Sequence, residues 1–210
     1  VVLGNEKVLS ARLADAAYFY SQDRRIPLET RIKDLEKVVF HAKLGTMLDK
    51  SERLAELATY LRPKDDDLRK AAMLCKTDLL TEAVGEFPDL QGIMGSYYAL
   101  EHGASKDIAD AIRNHYKPLG NNDEVPSGIA AYLSLVDKMD SLVGLMLAGE
   151  RATGSKDPYA LRRYALGIIK IIISNEIQLS LKDFIEYTER LYGYNVGMSH
   201  EIVLFIEDRL

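Results

Sequence analysis

The sequence predicts an all-α fold, a helical bundle of about nine helices. Three observations carry that reading. Apolar residues recur at helical spacing along most of the 210 residues, runs that alternate apolar and polar are few, and capping residues, prolines and glycines punctuate the periodic stretches. An apolar content of 47% with 28% charged residues is that of a folded chain, long enough for one sizeable core or two small ones.

The first helix is expected over Asn5 to Asp23, with Val8, Leu9, Leu13, Ala16, Ala17 and Tyr20 along one side and Pro27 closing the connection after it. A second helical stretch is expected from Leu28 through His41. A third, from Thr46 to Leu61, keeps Met47, Leu54, Leu57, Ala58 and Leu61 on one face before Arg62-Pro63-Lys64 interrupts the pattern. Asp65 to Asp67 place negative charge in the first turn of a helix from Asp66 to Val84, where the macrodipole favours it. Pro88 opens the next helix, to His102, and Ser105 caps "KDIADAIRNHY", which Pro118-Leu119-Gly120 ends. After the "GNNDEVPSG" loop, Ile129 to Leu147 forms a long apolar helix carrying Asp137, Lys138 and Asp140. In "ERATGSKDPYALRR", Asp157 is a candidate N-cap with Pro158 at the first helical position. The helix it launches is apolar on nearly every side, which predicts a central place in the core. Ser180 with Asp183 resembles a capping box, and Ser199 starts the last helix. A boundary is expected in "GYNVGMS", residues 193 to 199.

The formal charge of -5 gives no global basic field, so any nucleic-acid contact must come from a local patch. One cysteine, Cys75, in an apolar run, excludes an intramolecular disulfide and points to a reducing compartment, the cytoplasm. No stretch approaches the roughly 20 apolar residues that span a bilayer, so no membrane partner is expected. Apolar periodicity already runs at Val1, with no initiator Met, and the chain reads as a piece of a longer protein.

His41, Asp78, His115 and Asp137, each on or ending a predicted helix, are the one set with metal-ligand chemistry. A helical phosphohydrolase site needs a paired His-Asp, and here that pair is Thr77-Asp78, whose hydroxyl is a poor ligand beside an imidazole. The bland alternative is that Asp78 and Asp137 belong to a hydrogen-bonded core network and His115 to a helix C-terminus, and it carries more weight. Asp137 and Asp140 share a helix face, which suits acid-base work but more commonly marks a solvated edge. "EHGASKD" and "ATGSKDP" are turns whose N–H groups could take a phosphate but lack any nucleotide-binding spacing, and Tyr97, Tyr98 and Tyr116 read as core aromatics before a base-stacking platform. Charge is more informative: from 151 to 170 stand Arg151, Lys156, Arg162, Arg163 and Lys170 against Asp157 alone, a reversal in an acidic chain. Either a phosphate-backbone contact or a solubilising face accounts for it.

"VVLGNEKVLSARLADAAYFYSQD", "LEKVVFHAKLGT", "KTDLLTEAVGEFPDLQGIMGSYYA" and "TGSKDPYALRR" closely resemble successive motifs of the beta subunit of bacterial heterotetrameric glycyl-tRNA synthetase, from Val1 to about Ile173. The resemblance implies a degenerate HD-type helical domain over residues 1–192. Residues 193–210, with "EIVLFIEDRL", then look like a linker and the first helix of a truncated anticodon-binding domain. It implies partners, the alpha subunit in an alpha2beta2 heterotetramer and tRNA(Gly), and a cytoplasmic place. ATP and Mg are used by the alpha subunit, which holds the aminoacylation site, and no cofactor is expected in this fragment. Against the HD pattern the site at His41, Asp78, His115 and Asp137 is degenerate, so neither catalytic residues nor a metal are expected here. The favoured expectation is a tRNA-binding and assembly module with Lys156, Arg162, Arg163, Lys170 and Arg151 as its tRNA contacts. The alternative is a metal-dependent HD-type phosphohydrolase acting on a nucleotide or phosphodiester.

Overall fold

The computed structural model describes residues 2–120, 122–154, 156–193 and 197–210. Eleven α-helices among them form an all-α bundle: α1 (Val2–Asp23), α2 (Leu28–Arg31), α3 (Met47–Leu61), α4 (Asp66–Leu74), α5 (Glu82–Glu86), α6 (Ile93–Glu101), α7 (Lys106–Asn114), α8 (Gly128–Leu147), α9 (Leu161–Ser174), α10 (Leu181–Leu191) and α11 (Ser199–Glu207). The count exceeds nine because the periodic stretches themselves number ten and one of them, Asp66 to Val84, divides into α4 and α5. The stretch from Leu28 to His41 is α2, a 3-10 turn at Ile32–Lys37 and a strand, β1 (Val39–His41), antiparallel to β2 (Gly45–Thr46). Val38, Val39 and Phe40 favour a strand, and Gly45, at φ 87°, closes the turn. The stretch from Asp66 to Val84 divides at Cys75, where the Thr77 hydroxyl donates to the Leu74 carbonyl at 2.7 Å and a 3-10 turn, Thr77–Leu80, precedes α5. Pro88 opens a 3-10 turn, Pro88–Leu90, and Gly92 at φ 80° re-aims the chain into α6.

Several predicted starts are present. Thr46 and Asp49 form a reciprocal capping box, Asp65 accepts from Leu68 N, Ser105 from Ile108 N and Ser180 from Asp183 N. Asp157 accepts from Leu161 N at 2.8 Å and Arg162 N at 3.0 Å, but it does so from outside the helix. Ala160 is the N-cap, with φ 57°, so Pro158 lies before the first turn rather than in it.

The central helix is α8 and not α9, as the apolar run had predicted. Sixteen residues of α8 are buried, and it packs against α3, α4, α7, α9 and α10. In α9 only Leu161, Ala165, Gly167, Ile168 and Ile171 are buried, and Ile173 is exposed. The polar groups of α8 misled the pattern: Ser134, Asp137, Lys138, Asp140 and Ser141 are all buried, Asp137 and Asp140 in ion pairs and the other three in hydrogen bonds. By contrast α1 projects. Val8, Leu9 and Leu13 are 63%, 60% and 61% exposed, and the helix is tied to the body at its end. There the Asp23 carboxylate accepts from Glu82 N, Ala83 N and the Tyr98 hydroxyl. Helix α11 packs on α9 and α10 and buries Ile202 and Ile206 in the common core. The expected boundary at 193–199, the "GNNDEVPSG" loop and the "ATGSKDP" turn each contain residues, 194–196, Asn121 and Ser155, that lie outside the described ones.

Candidate functional site

Two charged regions flank α8. The first is buried. Asp137 Oδ1 lies 3.1 Å from the Lys50 ammonium of α3 and 3.1 Å from the Lys76 ammonium, which follows α4. Lys76 is 2% exposed. Its nitrogen also reaches His115 Nε2 at 3.0 Å and sits 4.0 Å from the centre of the Tyr116 ring. His115 donates from Nδ1 to the Ile112 carbonyl at 2.6 Å, which leaves the Nε2 lone pair to accept from Lys76. Burial, and then the Lys76 charge, push the His115 pKa well down, so the ring is neutral. Burial would raise Asp137, but the Lys50 and Lys76 ammonium groups overcome it and hold the carboxyl well below the usual range. Asp140, one turn on, takes Lys50 at 2.9 Å and Arg53 at 2.7 Å.

The four residues with metal-ligand chemistry are thus distributed over three places. His115 and Asp137 meet across the Lys76 ammonium. Asp78 turns away, its Oδ2 accepting Gly92 N at 2.6 Å and Gly95 N at 3.1 Å, and burial raises its pKa to about 6 against the pull of those N–H groups. His41, at the end of β1, faces Glu150 at 3.4 Å and the edge of the Tyr159 ring. Among the described residues no group of three His, Cys, Asp or Glu side chains gathers as a cation would need. A lysine ammonium stands between the imidazole and the carboxylate, and the buried Thr77 hydroxyl is taken by the Leu74 carbonyl, so the donor set does not fit a divalent metal.

Sequence reasoning missed Lys50, Arg53 and Lys76. A signal existed for Lys50, which falls three residues after Met47 and four before Leu54, on the apolar face of α3. A lysine in that stripe needs a buried counter-charge, and the only acids of the apolar helix Ile129 to Leu147 supply it.

The second region is an open cleft of about 420 Å³ between α9 and the loop Pro118–Gly120, lined by Arg162, Arg163, Lys170, Leu166, Gly167 and Asp157. Three of the five predicted basic contacts meet here. Arg163 and Lys170 lie two turns apart on α9, roughly 10 Å along its axis. The Asp157 carboxylate is occupied by two α9 N–H groups, and Asp123 accepts from Leu119 N and Gly120 N, so both nearby acids are turned into backbone. Lys170 donates to the Gly120 carbonyl at 3.3 Å, tying loop to helix. Beneath the loop Lys138 donates to the Tyr116 and Lys117 carbonyls at 2.9 and 3.1 Å. It has room to do so because Gly167 presents no side chain: a Cβ there would stand 2.6 Å from Lys138 Cε. Burial lowers the Lys138 pKa to about 8, although the Asp137 charge opposes this.

The other two predicted contacts are elsewhere. Arg151 pairs with Glu201 at 3.3 Å and donates to the Met146 carbonyl, a tie between the end of α8 and α11. Lys156 is exposed in a turn bridged to Thr153, outside the cleft. Arg209, which the charge count passed over, adds a cation beside Arg162: burial and then the Arg162 charge hold its pKa below the ordinary value.

The family model described as "Glycyl-tRNA synthetase beta subunit" matches residues 1–210. The chain belongs to this family. It is similar along its whole length to proteins named "Glycine--tRNA ligase beta subunit". The identity is 57% over 209 residues with the one from Rickettsia akari (strain Hartford) and 58% over 210 residues with the one from Rickettsia africae (strain ESF-5). The chain spans 31% and 32% of the length of those two relatives. The region of Thr77-Asp78 is buried in the core, whereas the cationic cleft is open. No helix of the described residues is long and apolar enough to cross a membrane.

Proposed function

We propose that this chain is the tRNA-binding and assembly portion of a glycine-tRNA ligase beta subunit, and that the cleft between α9 and the Pro118–Gly120 loop holds tRNA phosphates. The observation that carries the reading is the convergence of Arg162, Arg163 and Lys170 on one open cleft in a chain of net charge -5. Guanidinium groups suit phosphate because their planar fork bonds two oxygens at once; Arg162 spends one donor on the Gly154 carbonyl at 2.7 Å, and the Arg163 side chain makes no hydrogen bond or ion pair among the described residues. On this reading attachment of glycine, with ATP and Mg, takes place on the alpha subunit of an alpha2beta2 assembly in the cytoplasm. This chain contributes no reacting group. The phosphohydrolase alternative is not supported by a core in which Lys76 separates His115 from Asp137.

The test is Arg162→Ala/Arg163→Ala in the full-length alpha-beta enzyme. Expected are weaker tRNA(Gly) binding, a salt dependence shallower by roughly 1.4 to 1.8 in log-log slope for two lost phosphate contacts, and unchanged glycyl-adenylate formation. Unchanged tRNA affinity in a variant that melts like the wild type refutes the assignment.

A further inference from the structure

The Lys117–Gly120 loop has a cleft on each flank. Leu119 lines both the cleft toward α9 and a second, of about 430 Å³, toward α6 and α7. The second is bordered by Arg113 and Lys117, with Asn114, Gln91 and Tyr116 as neutral polar groups and Asp89 as the carboxylate on its wall. Neither Arg113 nor Lys117 pairs with a carboxylate among the described residues. The Arg113 guanidinium instead lies 5.6 Å from the centre of the Tyr97 ring, and Tyr97 is 46% exposed. The adjacent residue Tyr98 is fully buried, so the tyrosine pair that reads as core aromatics divides into one core ring and one surface ring.

Charge also sets a direction. Lys117 borders a third cleft, but that one carries Asp107, Asp110 and Glu124 and repels a polyanion. A strand lying along α9 that crosses the loop is therefore turned toward Arg113 and Tyr97. A duplex keeps its bases stacked on one another, whereas a single strand can present a base to an exposed ring.

We infer that the two clefts form one track for a single-stranded stretch of RNA. Its phosphates meet Arg162, Arg163 and Lys170 on one flank of the loop and Lys117 and Arg113 on the other, and a base stacks on Tyr97. This rests on the nucleic-acid reading of the α9 cleft. It adds a second phosphate subsite and a base contact to it.

The experiment uses the full-length alpha-beta enzyme and compares Arg113→Ala/Lys117→Ala, Tyr97→Ala and Tyr97→Phe with Arg162→Ala/Arg163→Ala, each checked for an unchanged melting temperature. The Arg113/Lys117 pair is expected to reduce the slope of log affinity for tRNA(Gly) against log salt by roughly 1.4, two single-strand contacts. Tyr97→Ala is expected to weaken binding roughly tenfold, while Tyr97→Phe, which keeps the ring, binds as the wild type. If Arg162/Arg163 matter and Arg113/Lys117 do not, the track is overturned and the α9 cleft stands. If neither pair matters, both readings fall. An unaffected Tyr97→Ala overturns the base contact. Competition by duplex RNA or polyglutamate as strong as by single-stranded RNA of equal charge overturns the single-strand assignment.

Discussion

Replacing Lys76 by methionine keeps most of the side-chain volume and removes one charge from a site that is 2% exposed. At 3.1 Å from Asp137 Oδ1, the gross attraction at an effective dielectric of 20 is about 5 kcal/mol. Two effects reduce the loss: the buried ammonium no longer has to be desolvated, and Asp137 keeps Lys50 at 3.1 Å. One adds to it, because His115 Nε2 loses its donor at 3.0 Å. The expected cost is about 3 kcal/mol, the lower end of what breaking a buried pair costs. For a domain of this size that lowers the melting temperature by roughly 6 to 12 °C. Denaturant titration of Lys76→Met, Asp137→Asn and the double variant should give a coupling energy above about 1 kcal/mol, since the two groups touch. The acid limb supplies a second signature. Asp137 is held below the usual carboxylate range, so the stability it contributes is complete above its unfolded value, about pH 4, and is lost only as pH falls through the lower folded value. Without Lys76 the folded value rises, and acid unfolding should begin at a higher pH. Additive single variants, with an acid limb that does not move, would refute the claim that Lys76 is a counter-charge of Asp137.

Asp78 behaves in the opposite sense. Its folded pKa, about 6, lies above the unfolded value of about 3.9, so it makes the chain lose stability as pH rises between those two values, by roughly 3 kcal/mol in all. Asp78→Asn should flatten that fall in a melting series from pH 4 to 8, because both Gly92 N and Gly95 N bond to a single oxygen that an amide can supply. Gly167→Ala should cost about 2 kcal/mol by driving a Cβ against Lys138, and should weaken tRNA binding by releasing the loop carbonyls that Lys138 holds. Wild-type stability in that variant would mean that Lys138 has another place to go.

Much of the bundle was legible because helix signals are local. Thr46, Asp65, Ser105 and Ser180 cap where their side chains can reach an N–H three residues on, and that depends on a few consecutive residues. The breaks were less legible. Gly92 and the Thr77 hydroxyl redirect the chain within runs whose apolar spacing still looks helical, and β1 forms only because β2 is there to pair with it. The candidate site divides in the same way. Arg162, Arg163 and Lys170 were readable from a charge reversal within one helix, whereas Arg113 and Lys117 join them only across the loop.

The family, the helical class, the capped starts and the basic stretch are legible without coordinates, because all are properties of neighbouring residues or of the whole chain compared with its relatives. That α8 rather than α9 is central, and that Asp137 and Asp140 are buried counter-charges instead of a solvated edge, emerges from the packing of the helices. The same packing brings Lys50, Lys76, His115 and Asp137 together. A charge's surroundings are set by elements distant in the chain: Lys50 and Asp137 are far apart in sequence and 3.1 Å apart in space. At that separation a buried cation and a buried anion are tolerated only in each other's company.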